Sequence, residues 1–324
     1  MKVFVFEYVT GGGCADTTLP AFLTDADLMW RAMMLDLTAI PGVEVISLRD
    51  DRLDQPAIAG ARIVATRAAT YAEDFRLCLA ASDAAWIVAP ETGGVLERLS
   101  RTVQLAGKRL LSSRPEGARI AASKSATARH LAGYGIATVP TYSSPYLIVE
   151  DGPVVMKPDD GAGCLDTRVF DNLEAAEVWT LLHPAEDRLF QPYVAGQPRS
   201  LSLLCCDGRA QLLSVNRQHV SLEGGCLAFH GVSVDDLSDT DGCYAELAER
   251  IAAAMPGLWG HVGVDFIESA AGPLVLEVNP RLTVSYAGLR AALGLNPAQC
   301  LLDLPAFGTL RARQPKDMEP AYVE

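Results

Sequence analysis

The chain has 324 residues, 49% of them hydrophobic, which is enough for two or three lobes with sizeable cores. A formal net charge of −13 excludes the basic surface that nucleic acids require and opposes attraction to an anionic membrane, so small molecules are the expected partners. The eight cysteines form no CxxC pair and no zinc-like spacing, no signal peptide is evident and no apolar run spans a bilayer, which together predict a soluble protein with reduced thiols in a cytoplasm.

A buried strand is expected over 2–8, running into Thr10-Gly11-Gly12-Gly13. That loop matches neither a GxGxxG fingerprint nor a Walker loop, so it reads either as a flexible turn or as backbone that approaches a ligand closely. A helix follows over 24–39, with Phe22, Ala26, Met29, Met33, Leu37 and Ile40 at helical spacing. Strand 43–48, helix 71–81, strand 84–89, helix 94–106 and strand 109–111 continue an alternation that predicts a parallel sheet covered by helices. Ligands of such sheets sit beyond the carboxyl ends of the strands, where Glu7 and Pro90-Glu91-Thr92-Gly93 fall. Glu91 therefore reads as a partner for a substrate amine or as a solvated residue at a helix start. Lys108 reads as a plain surface lysine.

A second part opens at about Ser112, with Lys124 beginning a short helix that Gly133 and Gly135 end. An extended run over 153–156 leads into Lys157-Pro158 and the loop Asp159-Asp-Gly-Ala-Gly-Cys164, before a helix over 173–182. The backbone N–H groups of that loop, around Gly161 and Gly163, can fold over phosphates while Lys157 adds a point charge. A lone lysine is as a rule a surface residue, a reading weakened here by the apolar strand before it. The stretch 189–196, broken by Pro192 and Gly196, reads as a hinge whose backbone can meet an adenine edge. Strands at 198–205 and 210–215 and helices at 240–254, 285–293 and 297–302 follow, and the polar tail from Pro305 is expected to be poorly ordered or to pack irregularly. Arg199 and Arg217 are either anion-binding or structural arginines.

The densest chemistry lies in Val262-Gly-Val-Asp-Phe-Ile267 and Leu274-Val-Leu-Glu-Val-Asn-Pro-Arg281, two strands separated by the turn signal Gly272-Pro273. A register pairing Ile267 with Val275 sets Asp265 opposite Glu277. Asn279 then shares the face of Glu277, and Leu274, Leu276 and Val278 point into a core. Directly opposed like charges destabilise a sheet, so the pair asks for a cation, and two carboxylates with an amide oxygen suit magnesium or manganese. On this reading, removing one carboxylate leaves the metal-free stability unchanged or slightly higher. The alternative is an ordinary hairpin with a solvated acidic face.

Taken in order, Lys124, Val155-Met-Lys-Pro158, the glycine loop, the Gln191 to Gly196 stretch, Asp265 and Glu277-Val-Asn-Pro-Arg281 resemble the ATP-grasp ligases over 112–302. The resemblance implies an α/β ATP-grasp fold preceded by a parallel-sheet, pre-ATP-grasp domain over 1–112, with a central lid over 113–193, a metal-bearing part over 194–304 and a tail over 305–324. Phe6-Glu-Tyr-Val-Thr-Gly-Gly-Gly13, Ala89-Pro-Glu-Thr92 and the 157–164 loop are similar, more narrowly, to the tyramine–glutamate ligases of methanofuran-type cofactor synthesis.

The family implies ATP phosphates at Lys124, Lys157, Gly161 and Gly163, and adenine at Gln191 and the backbone near Tyr193 and Val194. Many members carry Glu at the position of Gln191, so an adenine amino group must here meet the amide oxygen or the backbone. Asp265, Glu277 and Asn279 would hold one or two magnesium or manganese ions. Arg281, with Arg217, would act on the transferred phosphoryl group, while Glu7, Glu91 and Arg199 would face the substrates. The implied reaction joins a small-molecule carboxylate to an amine through an acyl phosphate. Another amino-acid ligase of the family, such as one resembling the lysine-adding enzyme of pyrrolysine synthesis, or a nucleotide-binding regulator without turnover, are the alternatives. The oligomeric state is left open, a homodimer included.

Overall fold

Two alternating sets of apolar side chains build the N-terminal layer. Strand β1 (Lys2–Glu7) turns Val3 and Val5 to one face and Phe4 and Phe6 to the other. The computed structural model describes residues 1–161, 164–184, 187–304 and 320–323. Helix α1 (Leu23–Thr38) covers the valine face. Strands β2 (Glu44–Asp50), β3 (Ala61–Thr66), β4 (Ala84–Val88) and β5 (Arg109–Leu110) join β1 in a parallel sheet of order β3-β2-β1-β4-β5. Helices α2 (Tyr71–Ala80) and α3 (Val95–Leu105) cover the phenylalanine face. The parallel sheet expected from the alternation is present, with β3 added at its half-exposed edge.

The glycine run after β1 forms one buried turn, Val9–Gly13. A side chain there has no room: a Cβ on Gly11 would stand 2.7 Å from the Phe6 ring, and one on Gly13 would stand 2.3 Å from the Tyr8 ring.

The rest of the chain makes a second, larger sheet. Its elements are α4 (Pro115–Ala121), α5 (Lys124–Gly133), β6 (Val154–Pro158), β7 (Arg168–Phe170), α6 (Leu173–Leu182), β8 (Arg188–Pro192), β9 (Gln197–Cys206), β10 (Arg209–Glu223), β11 (Cys226–Leu237), α7 (Cys243–Ala254), β12 (Gly260–Ser269), β13 (Gly272–Asn279), α8 (Tyr286–Leu293), α9 (Pro297–Leu302) and β14 (Ala321–Val323). Nine strands run in the order β13-β12-β9-β10-β11-β7-β6-β8, with β14 added on β11. One face packs Leu201, Leu203, Val215, Val262, Val264 and Phe266 against α7. Ala121, Leu131 and Ile136 enter this same core, so α4 and α5, grouped above with the lid, pack under β9, β10, β12 and β13 instead. The lid has its own small core of Ile148, Val154, Met156, Phe170, Ala176 and Phe190.

Two features depart from the expected pattern. Strand β10 continues to Glu223 and returns through Gly224 and Gly225, both at positive φ, to form a long hairpin with β11. The hairpin tip meets β7, where Val169 N–H donates to the Gly225 carbonyl (2.8 Å) and Leu227 N–H to that of Thr167 (3.0 Å), so lid and base share one sheet. The second departure is in the tail, where Ala321–Val323 pairs with β11 and Val323 enters the core, in place of irregular packing. Residues 305–319 and 324 lie outside the described residues. No helix among the described residues is long and apolar enough to cross a membrane, and all eight cysteines are free.

The N-terminal and C-terminal layers share a core through α1, α8 and α9. At its centre the buried Asp36 of α1 accepts hydrogen bonds from the Tyr286 hydroxyl (2.9 Å) and Arg290 Nη1 (2.9 Å). Burial raises the Asp36 carboxyl above its ordinary pKa, against the pull of Arg290 and Tyr286. Asp36→Ala strands the Tyr286 hydroxyl, itself 1% exposed, and is expected to cost ~2 kcal/mol in denaturant or thermal unfolding. Leu35→Ala, at a neighbour that is 59% exposed, is expected to stay within ~0.5 kcal/mol.

Candidate active site

Strands β12 and β13 place Asp265 opposite Glu277 and Gly263 opposite Asn279, so the facing carboxylates expected from the sequence are present. The register beyond them differs. Phe266 pairs with Val275 and Ile267 with Leu274, leaving Leu276 as an extra residue in a bulge. An unbroken pleat would put Val275 on the face of Glu277. The bulge turns it over, and Val275 and Val278, rather than Leu274 and Leu276, line the core.

Around the carboxylates lies a layer of neutral polar groups. Ser200 and Ser202 of β9 stand opposite Asp265 and Gly263. The fully buried Asn216 of β10 donates to both serine hydroxyls, at 3.2 and 3.0 Å, and accepts from Ser214 at 2.8 Å. Gln218 Nε2 donates to Asp265 Oδ1 (2.9 Å), and Asn279 Nδ2 to Asp265 Oδ2 (3.2 Å). Gln218 was not among the sequence candidates. Its signal was the period-two series Ser214, Asn216, Gln218 along a strand.

Two lysines supply the positive charge. Lys124 Nζ lies 3.1 Å from Glu277 Oε2 and also donates to the Gly161 carbonyl. Asp159 fixes the start of the loop after β6 to α5, accepting from Ser125 N–H and the Ser123 hydroxyl, both at 2.7 Å. Lys157, 8% exposed at the end of β6, is pushed down to about 8, by burial first and by Lys124 as well, although Glu277 pulls the other way. Burial and then Glu277 raise Asp265 well above its ordinary value. Glu277 feels burial too, but Lys124 and Lys157 outweigh it and hold it ionised. The half-buried Cys164, raised to about 11 by burial and then by Glu277 and Asp265, closes this end.

Gln191 shares the face of Lys157 across β6 and β8. Its Nε2 donates to the Thr141 hydroxyl (2.8 Å), an orientation that leaves the amide oxygen as the acceptor. The Tyr193 N–H is engaged by the Pro153 carbonyl (2.8 Å), so Tyr193 offers only its own carbonyl, and Val194 follows half-buried.

The N-terminal sheet closes the other side. Its strand order reverses between β1 and β4, and the crevice at that reversal lies beyond Glu7 and Glu91. Arg281, just past β13, reaches into it. Its Nε is 3.0 Å from Glu91 Oε1, its Nη2 donates to Oε2 (3.1 Å), and its Nη1 donates to the Leu282 carbonyl (3.2 Å). Burial works against the Arg281 charge, but Glu91 outweighs it and raises the pKa. Glu7 is engaged by the turn that follows it. It accepts from Val9 N–H (3.2 Å), Thr10 N–H (2.7 Å) and the Thr10 hydroxyl (2.8 Å), and burial raises its pKa.

Two further candidates fall elsewhere. Arg199 pairs with Phe266 and Arg217 with Arg199, so both stand on the sheet face opposite Asp265, where they share Asp236 at 3.2 and 2.9 Å. Strand alternation is the reason: each sits next to a residue, Ser200 or Asn216, that faces the carboxylates. Gly163 lies outside the described residues. Lys108 is no plain surface lysine, since its Nζ donates to the Ala80 (2.9 Å) and Ser82 (2.6 Å) carbonyls at the end of α2.

The donor set fits a divalent cation. Asp265, Glu277 and Asn279 offer hard oxygens from one sheet face, and the burial and the Glu277 repulsion that raise Asp265 are what such an ion offsets. An ATP-grasp domain matches residues 121–285, half of the chain. The chain belongs to the ATP-grasp family. A pre ATP-grasp 3 domain matches residues 43–117. The ATP-grasp chain is 24% identical over 291 residues to the tyramine–L-glutamate ligase of Methanocaldococcus jannaschii, covering 89% of this chain and 84% of that one. An Archaeoglobus fulgidus structure described as an ATP-grasp superfamily protein superposes with a TM-score of 0.72 at 21% identity, over 100% of this chain and 99% of that one. The L-amino acid ligase of Bacillus licheniformis superposes with a TM-score of 0.65 at 14% identity, over 94% and 73%. These superpositions share the ATP-grasp fold.

Asp265→Asn and Glu277→Gln are each expected to lower metal-dependent ADP formation by about 100-fold or more. The structure separates their stabilities, which the sequence alone treated together. Asp265→Asn removes a carboxylate whose ionisation burial and then Glu277 disfavour, and leaves the metal-free protein as stable as the parent or slightly more so. Glu277→Gln removes the partner of Lys124 and Lys157 and is expected to cost roughly 1–3 kcal/mol. Near-parental ADP formation in both variants removes the pair from the metal site.

Lys157→Met is expected to weaken ATP binding by about 10-fold or more, the size of one charge-assisted contact. Lys108→Met lowers thermal stability without moving nucleotide affinity. Equal effects of the two substitutions in nucleotide titrations exclude a phosphate role for Lys157.

Proposed function

We propose that this ATP-grasp carbon–nitrogen ligase joins the carboxylate of glutamate to the primary amine of tyramine, or of a tyrosine-like amine, in a methanofuran-type cofactor synthesis. The observation that carries the reading is the meeting of two sets of groups: Lys124, Lys157, Asp265, Glu277 and Asn279 from the larger sheet, and Arg281 over the crevice of the smaller one. The first set suits a nucleotide triphosphate with its ion, and the second suits a carboxylate and an amine. The 24%-identical tyramine–L-glutamate ligase supports the choice of acid and amine.

In this mechanism a carboxylate oxygen of the acid attacks the γ-phosphorus of ATP, the bond to the β-phosphate oxygen breaks, and ADP leaves with that electron pair. The amine nitrogen then attacks the acyl carbon, the carbon–oxygen bond to phosphate breaks, and the nitrogen loses a proton as the amide forms. Phosphoryl transfer depends on positioning and charge neutralisation more than on covalent chemistry, so no side-chain nucleophile is required. Lys124 and Lys157 bear the charge of the phosphates. Gln191 and the Tyr193 carbonyl hold adenine. Arg281 binds the acid through its planar fork. Asp265, Glu277 and Asn279 would hold magnesium or manganese, which would supply charge neutralisation for the phosphates. A phenol ring on the amine finds an apolar wall in the half-buried Tyr8, whose ring meets Phe6 edge-on at 6.4 Å, and in Phe22 at the start of α1.

The test is ADP formation with glutamate plus tyramine, tyrosine, lysine, alanine or ammonia, with each product identified by mass. Glutamyl tyramide is the expected product. Preference for an aliphatic amine or ammonia, or for an acid unrelated to glutamate, overturns the substrate assignment and leaves the ligase standing.

A further inference from the structure

The Arg281 guanidinium has one edge suited to bidentate binding, formed by Nε and Nη2, and Glu91 occupies it imperfectly: Nη2 donates to Oε2 (3.1 Å), while Nε lies 3.0 Å from Oε1 and neither of those two buried atoms makes a hydrogen bond. Its Nη1 is turned to the Leu282 carbonyl. An acid that is to bind Arg281 side-on must therefore take the place of Glu91, because two carboxylates on one edge repel. Both partners are close to fully buried, with side chains 10% and 11% exposed. A displaced Glu91 cannot remain there as a lone charge, since an uncompensated buried carboxylate is strongly disfavoured. Glu7 cannot take up its role, because the Val9–Gly13 turn already engages both of its oxygens.

We propose that Glu91 holds the acid's place on Arg281 until the acid binds, and that the displaced Glu91 then becomes the seat of the substrate ammonium. This assignment rests on the ligase reading above and deepens it. The carboxylate is exchanged from one cation to another, so binding of the acid creates the amine site. Coupling of this kind is reciprocal: each substrate strengthens binding of the other. The same turn carries Gly93, whose N–H donates to Asp160 Oδ2 (2.8 Å) in the phosphate loop, so the exchange takes place on an element already tied to the phosphate end.

The test is steady-state kinetics of the parent, Glu91→Gln and Glu91→Asp with L-glutamate, tyramine and ATP, together with thermal unfolding of each. In the parent, the KM for the amine is expected to fall as the acid concentration rises. In Glu91→Gln, the KM for the amine rises roughly 10-fold or more and no longer depends on the acid, while the KM for the acid is unchanged or lower. Glu91→Asp keeps the charge and restores part of the amine KM. A pair that merely joins the domains would give another pattern in Glu91→Gln, with both KM values rising together as the melting temperature falls, or with neither moving. Either outcome overturns the assignment. If the parent forms no amide with any acid and amine of the panel, the ligase reading fails and the assignment with it, a result distinct from a parent that makes amide and a variant that shifts both KM values alike.

Discussion

Two carboxylates facing each other across adjacent strands are the constraint around which this molecule is arranged. At a separation of roughly 4–5 Å and an effective dielectric of about 20, two unit charges repel by roughly 3–4 kcal/mol. That is a large fraction of what holds a domain folded. The protein meets the repulsion with unlike environments. Glu277 is set against Lys124 and Lys157 and stays charged, while burial and then Glu277 make Asp265 keep its proton more tightly, against the hydrogen bond that Asn279 donates to it. The surrounding layer of Ser200, Ser202 and Asn216 is neutral and internally hydrogen-bonded, so it adds no further charge.

The groups that surround this pair come from separate parts of the chain, and their relative placement is a matter of packing. Lys124 rides on α5, which packs into the core under the larger sheet, whereas Lys157 comes from β6. Arg281 ends the β13 segment and Glu91 belongs to the N-terminal sheet, so their contact depends on how the two layers meet. That meeting is set by one continuous core with Asp36 and Tyr286 bonded inside it. A polar contact far from the reacting atoms therefore helps to fix their geometry.

Much of this was legible in the sequence wherever a side-chain pattern carried the information. Glu277-Val-Asn-Pro-Arg281 with an upstream Asp265 gave the opposed carboxylates, and alternation of strands and helices gave the parallel sheet, with Glu7 and Glu91 at or just beyond the carboxyl ends of its strands. What periodicity cannot give is a bulge. The extra residue at Leu276 is invisible to a period-two reading, which therefore assigned the wrong leucines to the core. Arg199 and Arg217 failed for a related reason, since type alone suggested anion binding and only the register shows which face they occupy. The β10–β11 hairpin was readable in Gly224-Gly225, a two-residue turn signal, but half-polar strands around it masked the alternation. Asp36 sits on the apolar stripe of α1, a spacing that marks a buried acid without naming its partner.

The same hairpin has a consequence for how the lid is able to move. In a two-lobed clamp with separate sheets, a lid swings on its connecting segments and exposes nothing but the cleft. Here β7 lends its outer edge to the hairpin tip, so lid and base are pages of one fabric. A wide swing would tear that seam and bare two strand edges, the kind of surface that recruits other chains. A gentler route is a change of twist spread along the shared sheet, which keeps the seam intact and moves Lys157 and Gln191 together as one panel.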